Sequence, residues 1–367
     1  MTATDVRGAI ALAEGAIAQR ALVAVDAVEL PQTNVFGHRV AVERGADVAS
    51  LLARCGQAAC EGERVTVIAR AEDLATCRGH LARIAAKRLG VVVHCIADRP
   101  GPGDPQSASG TAAALSLGDL PWGMLVAVGV AEAHDLALVA RRAAEDSGCP
   151  FFVVHEGAQA STPRPIAAPT RELCEAFLGG PRPATAPPGG DERAVAERVP
   201  FALGSALREL ESLTARRQDV ILRSPAAEAS LAVVGLGLPG DSMLGQMDRV
   251  RAAGHDVAAV RVVAWRPFPG PRLVKSLARA LAVSVVESVD RPLVGGGPLT
   301  VELKAAFADA ITWAPGYPGI GRVPRIASGL VAGDRGVDAA EVDEIVANML
   351  ADERGKRTLV LGARASA

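Results

Sequence analysis

No two of the six cysteines, at positions 55, 60, 77, 95, 149 and 174, form a C-x-x-C pair, and none of their spacings is that of a zinc or iron–sulfur site. The thiols are expected to be reduced and mostly buried, and any electron-transfer cluster must sit on another polypeptide. Charge bias is missing too: 39 basic residues face 41 acidic ones, for a net charge of −2. Without a basic excess or stripe, nucleic acid is excluded as an expected partner. No apolar run reaches about 18 residues, and Met1 to Gly8 carries Asp5 where a secretory signal has a basic start. No membrane partner is expected, and the expected location is cytoplasmic. The histidines at 38, 80, 94, 134, 155 and 255 are dispersed without the i, i+4 spacing of a metal-binding helix pair, so no metal ligand is assigned to this chain. A G-x-S-x-G elbow, a P-loop and a repeat of 20 to 50 residues are all lacking.

The 367 residues exceed one compact core, and 49% hydrophobic with 22% charged residues suits a soluble globular chain of two domains. Ala21–Val28, Arg64–Ala69, Gly90–Ala97, Met124–Val130 and Pro150–His155 read as buried strands. Leu74–Arg88 and Glu132–Asp146 read as helices between them. Such alternation predicts a mostly parallel sheet covered on both faces. The run GGPRPATAPPGG, from Gly179 to Gly190, is the linker candidate, because proline fixes φ and glycine loosens the chain. Beyond it come a helix over Ala202–Arg217, strands over Leu231–Val234, Val257–Trp265 and Leu281–Glu287, and a last helix near Ala339–Leu350. The expected division is a first domain over 1–180, a linker over 181–200, a second α/β domain over 201–355 and a tail over 356–367.

Gly235, Gly237 and Gly240 spell G-x-G-x-x-G after a strand and before a helix, the setting of a dinucleotide fingerprint. The next strand ends Ala264-Trp265-Arg266-Pro267, with no acid for a ribose hydroxyl, and Pro239 fills a variable position. The competing reading is a tight strand-to-helix turn with Asp241 as N-cap. An NAD(P)-binding oxidoreductase therefore stands as one alternative.

From Glu209 the runs ELESLTARRQDV, LAVVGLGLPGDS and VAAVRVVAWRPFPGPRLVKSL, with Arg266-Pro267-Phe268-Pro269 as the most specific piece, resemble the second domain of 2-oxoacid:ferredoxin (pyruvate:ferredoxin) oxidoreductases. Val285 to Arg291, Gly296-Gly297-Pro298-Leu299 and SGLVAGDRGVDAAEVDEIV continue that likeness in order. The first half resembles the same family more weakly: Leu30-Pro31-Gln32-Thr33, Asp98-Arg99, Gly118-Asp119, Glu132 to Leu136 and Pro150 to Gly157 fall where members carry corresponding segments. The resemblance implies an α subunit. Its fold would be a thiamine-pyrimidine-binding doubly wound sheet followed by a smaller transketolase C-terminal-like α/β domain.

The resemblance also implies chemistry. In the family, a glutamate of the first domain bonds the aminopyrimidine of thiamine diphosphate, whose carbanion attacks a 2-oxoacid; electrons leave through iron–sulfur clusters and coenzyme A takes the acyl group. In one register Glu43, within Val42-Glu43-Arg44-Gly45-Ala46, is that catalytic and cofactor-binding acid. In the other register the activating position falls on Gly45. Arg99 is the expected catalytic arginine that holds the substrate carboxylate, since a guanidinium makes a charge-assisted fork. Thr33 would donate to the same carboxylate, although the family's threonine aligns more naturally with Leu30. Asp119 keeps a cofactor-loop position, whereas the loop's second acid is replaced around Trp122. The Gly-Asp-Gly diphosphate and magnesium signature is absent; Gly240-Asp241-Ser242 and Gly333-Asp334-Arg335 are the nearest approaches. Thiamine diphosphate would thus be shared with a diphosphate-binding β subunit carrying magnesium, beside γ and ferredoxin-like subunits carrying the iron–sulfur clusters, and this chain would not act alone. A catalytically degenerate scaffold or regulatory subunit of such a complex is the other alternative.

Overall fold

The computed structural model describes residues 2–97, 110–157, 161–180, 191–225, 229–289, 296–351 and 354–362. These fall into two compact units. Among the described residues the first comprises 2–97, 113–157, 161–180, 191–219 and 265–267, and the second the remainder.

In the first half the elements run β1 (Thr2–Thr4), α1 (Val6–Ile17), β2 (Arg20–Val23), β3 (Ala41–Arg44), α2 (Val48–Cys60), β4 (Val65–Arg70), α3 (Ala71–Thr76), α4 (Arg78–Ala86), β5 (Val92–Ile96), α5 (Gly110–Leu115), β6 (Gly123–Val128), α6 (Gly129–Ser147), β7 (Phe151–Glu156), β8 (Arg164–Ile166), α7 (Arg171–Leu178) and α8 (Glu192–Thr214). The second half runs β9 (Ile221–Arg223), β10 (Leu231–Leu236), α9 (Gly237–Ala252), β11 (Val257–Val262), β12 (Ala264–Arg266), α10 (Gly270–Leu277), β13 (Ala282–Val289), α11 (Pro298–Ile311), β14 (Arg325–Ala332), α12 (Ala339–Leu350) and β15 (Thr358–Leu361).

The main sheet of the first unit has the order β12-β6-β7-β5-β4-β2-β3, and every pair from β6 to β3 is parallel. β4, β5 and β7 are buried almost end to end, as continuous apolar runs must be when helices cover both faces. On one face Ile10 and Ala9 of α1 and Val130 and Ala133 of α6 close over Val23, Ile68 and Ile96. The sheet of the second unit, β15-β14-β13-β10-β11-β9, is parallel except for the antiparallel edge strand β9. Its core packs Met243, Met247 and Val250 of α9 with Val342, Ile345 and Val346 of α12.

Several expectations are corrected. The helix read over Leu74–Arg88 breaks at Cys77, whose φ of −101° and ψ of 21° separate α3 from α4. The helix read over Ala202–Arg217 begins at Glu192, capped by Asp191, and groups with the first unit. There Arg142 of α6 reaches Glu209 at 3.2 Å and Arg216 forks onto Asp135. The strand read over Val257–Trp265 is two strands in two sheets, β11 and β12. Finally, Asp241 is not an N-cap, because α9 already starts at Gly237. Pro239 is tolerated there since the N–H groups of a first turn have no intrahelical partner.

Candidate functional site

Glu43 is the third residue of the edge strand β3, and both of its carboxylate oxygens are taken. Oε1 accepts from Nη1 of Arg20, and Oε2 accepts from Nη1 of Arg54 at 2.7 Å. Arg20 in turn forks onto Glu63 at 2.7 and 3.1 Å, closing a cluster of two acids and two bases. Partial burial acts to raise the Glu43 pKa, but the bonds from Arg20 and Arg54 outweigh it and hold the carboxyl below its ordinary range. With its side chain 25% exposed, this is a screened surface network that stabilises by about 1 kcal/mol at most.

Thr33 is exposed in the loop between β2 and β3, bridged to Arg39. That loop is folded by buried Asn34, a residue the sequence reading did not single out. Its Nδ2 donates to the Ala18 carbonyl at 3.0 Å, and its Oδ1 accepts from the backbone N–H groups of Phe36 and His38. Leu30 packs on the core beneath α1, as an apolar side chain should. Asp119 precedes β6, so it lies at the amino edge of the sheet. Its exposed carboxylate takes a fork from Arg78 at 2.7 Å, which depresses its pKa. Arg99 lies outside the described residues.

Thr33 thus lies in the loop that enters β3 and Glu43 on β3 itself, while Asp119 lies beside β6. β3 and β6 are five strand spacings apart, roughly 24 Å at about 4.8 Å per spacing. Trp122, at the position of the lost second acid, stacks on Phe152 with ring centroids 4.3 Å apart and donates from Nε1 to the Leu81 carbonyl, so it is a core residue.

The Arg-Pro-Phe-Pro motif has a structural role. Buried Trp265 of β12 lies so close to Gly118 that a Cβ there would come within 2.6 Å of the indole nitrogen. Arg266 donates from Nε to the Gly118 carbonyl at 2.7 Å and lies 4.7 Å over the Trp265 ring. The glycine motif is likewise explained by packing. A Cβ on Gly235 would meet Cα of Gly240 at 2.4 Å, so β10 and α9 touch through glycine, and Arg261 runs beside them to Asp241 at 3.3 Å.

Sequence reasoning also missed a buried array in the first unit. Glu14, His94, Arg141 and His155 are all within 1% of complete burial and are joined by hydrogen bonds. Dispersed positions in sequence gave no sign of it, since α1, β5, α6 and β7 bring them together only in the fold.

A thiamine pyrimidine would need from this chain a carboxyl able to share a proton with a ring nitrogen. Glu43, with both oxygens bonded to guanidinium groups and its pKa held low, does not fit that need in this arrangement. Among the described residues no group of three or more His, Cys, Asp or Glu could hold a metal ion. No described helix is long and apolar enough to cross a membrane.

Comparison with known proteins places these features in a family. The family model described as pyruvate flavodoxin/ferredoxin oxidoreductase, thiamine diP-bdg, matches residues 27–220, more than half of the chain. The model for pyruvate:ferredoxin oxidoreductase core domain II matches residues 229–322. Pyruvate synthase subunit PorA of Pyrococcus furiosus is 23% identical over 266 residues, which cover 65% of this chain and 66% of that protein. The fold is similar to that of a 2-oxoglutarate:ferredoxin oxidoreductase from Magnetococcus marinus, with a TM-score of 0.65 and 14% identity over 95% of this chain and 65% of that one. It is also similar to a split-gene transketolase described as an inactive β4 tetramer, with a TM-score of 0.59 and 13% identity over 95% of this chain and 99% of that one. The chain therefore spans just under two thirds of the curated relative and of the solved oxidoreductase. The ordered match of both domains makes this chain a member of the pyruvate:flavodoxin/ferredoxin oxidoreductase family, with the α-subunit arrangement of a thiamine-diphosphate-binding-type domain followed by core domain II.

Proposed function

We propose that this chain is the α subunit of a thiamine-diphosphate-dependent 2-oxoacid:ferredoxin oxidoreductase that oxidatively decarboxylates a 2-oxoacid to an acyl-coenzyme A in the cytoplasm. The observation that carries the reading is the order and extent of the two family domains along one chain. The missing Gly-Asp-Gly and cysteine-ligand signatures fit a division of labour. A β subunit would hold the diphosphate and magnesium, and γ and ferredoxin-like subunits the iron–sulfur clusters. Glu43 and Thr33 would then face the shared cleft from this side, with Arg99 holding the substrate carboxylate. For Glu43 to take part, it must exchange Arg20 and Arg54 for a ligand when the complex assembles.

A second reading is a scaffold or regulatory subunit that no longer performs chemistry, and the closed ion-pair cluster at Glu43 favours it. One experiment separates the two. The chain is produced with its partner subunits, and viologen reduction is followed with 2-oxoacids and coenzyme A. Under the first reading Glu43→Gln reduces the rate by roughly a hundredfold or more while assembly is kept. An unchanged rate in the variant supports the second, and a wild-type complex that reduces nothing removes the first.

A further inference from the structure

The buried array in the first unit has a direction. Arg141 is anchored at the amino edge of the sheet, donating to the carbonyls of Gly90 and Val65 at 2.9 Å each, and from Nη2 to Oε2 of Glu14 at 3.2 Å. Burial acts to raise the Glu14 pKa, but Arg141 and the bond from His94 outweigh it, so Glu14 is an anion. An anion only accepts; Nε2 of His94, 2.8 Å from Oε1, must therefore carry a proton. Arg141 and Glu14 already cancel in charge, and a second cation in a site without solvent contact would be uncompensated. With both imidazoles neutral, Nδ1 of His94 is an acceptor. It is filled by Nε2–H of His155 at 2.9 Å, the two rings lying 5.2 Å apart and 24° from parallel.

That order leaves two buried atoms over, Nε of Arg141, which can only donate, and Nδ1 of His155, which can only accept. Nδ1 of His155 holds a lone pair, is buried, and has no hydrogen-bond partner among the described residues. His155 is the fifth of six residues in β7, level with Ile96 of β5 and Ala127 of β6. The chain of bonds thus starts at the amino edge of a parallel sheet and ends toward its carboxyl edge, the edge at which open α/β sheets present ligands.

We propose that Arg141, Glu14, His94 and His155 form a one-way relay of hydrogen bonds whose free end, Nδ1 of His155, accepts a hydrogen bond from an N–H or O–H group presented at the carboxyl edge of the first unit. The logic is that of a base oriented by a second group, which is oriented in turn by an acid. A bare carboxylate meets only a lone pair at this end and is rejected; a hydroxyl, amine or amide is accepted.

The relay itself does not depend on the oxidoreductase reading, and its test has two arms. Long-range proton–nitrogen NMR of the full chain labelled at histidine nitrogen, at pH 7, is expected to show His94 and His155 as neutral Nε2–H tautomers, assigned with the single variants His94→Gln and His155→Gln. Nδ1–H or imidazolium at His155 overturns the proposal, and because the wild-type spectrum already shows whether two such tautomers exist, a variant that fails to fold does not block the test. The second arm rests on the oxidoreductase reading. In the assembled complex, His155→Phe is expected to lower kcat by roughly a hundredfold, and His155→Gln, whose carbonyl again accepts, to recover most of it. Equal kcat for wild type and His155→Phe overturns the relay's role. A wild-type complex without activity counts against the oxidoreductase reading and leaves the tautomers to decide the relay.

Discussion

Two glutamates of the first unit are kept ionised by arginine in opposite surroundings, and their worth differs accordingly. Around Glu43 water screens the attraction, so truncating Arg54 should change stability little. Glu14 has no water to fall back on. Replacing Arg141 with methionine should cost roughly 3–5 kcal/mol, because it strands a buried anion. The same region sets the response to acid. Burial and the neighbouring His94 put the His155 pKa well below 6.5, so on acidification the unfolded chain takes up that proton first. Stability then falls by about 1.4 kcal/mol per pH unit for each such proton. Glu14 and Asp135 have depressed pKa values, from 4.5 and 3.8, and their contributions are lost at still lower pH. Urea midpoints between pH 7 and 5 should therefore fall for the wild type and fall less for His155→Phe. Parallel curves would refute the assignment of this slope to His155.

Strand–helix contact through glycine is the corresponding constraint for elements. At Gly235 an added methyl meets backbone rather than a flexible side chain, so β10 and α9 must separate. Gly235→Ala should destabilise the second unit by roughly 1–3 kcal/mol, read by chemical denaturation, whereas Gly245→Ala, with open space at its Cβ and a helical setting, should be neutral or stabilising. The strands were legible in the sequence because β-branched runs such as Val65–Arg70 and Val92–Ile96 are buried on both faces. Where helices begin and break was less so. Cys77 carries no breaker residue to announce the gap between α3 and α4. Pro239 and Gly240 read as a turn, yet a first helical turn accommodates both. β2 stops at Val23 rather than Val28, and the chain turns away near Ala27, a non-glycine residue at φ 59° that no local rule would have singled out.

On the scale of the whole molecule, kinship was more legible than chemistry. Arg266 to Pro269 and the glycine turns at Gly235–Gly240 and Gly296–Gly297 shape strand ends, and all lie within the span matched by core domain II. The candidate site was legible only in residue types. Sequence proximity to family motifs did not reveal that Asp119 sits at the far side of the sheet from Glu43, or that two distant histidines are chained by hydrogen bonds to Glu14. Such facts depend on strand order, which spacing along a chain does not encode. Strand order also has a consequence for biosynthesis. β12 completes the first sheet beside β6, yet it is encoded some way past the proline-rich run from Gly179 to Gly190. A polypeptide that ends at that run would leave the β6 rim bare, without Trp265 against Gly118, and should be prone to self-association. Restoring a peptide that spans residues 257–270 in trans should improve its solubility. On the ribosome, the amino-terminal half stays unfinished until translation has passed Pro267.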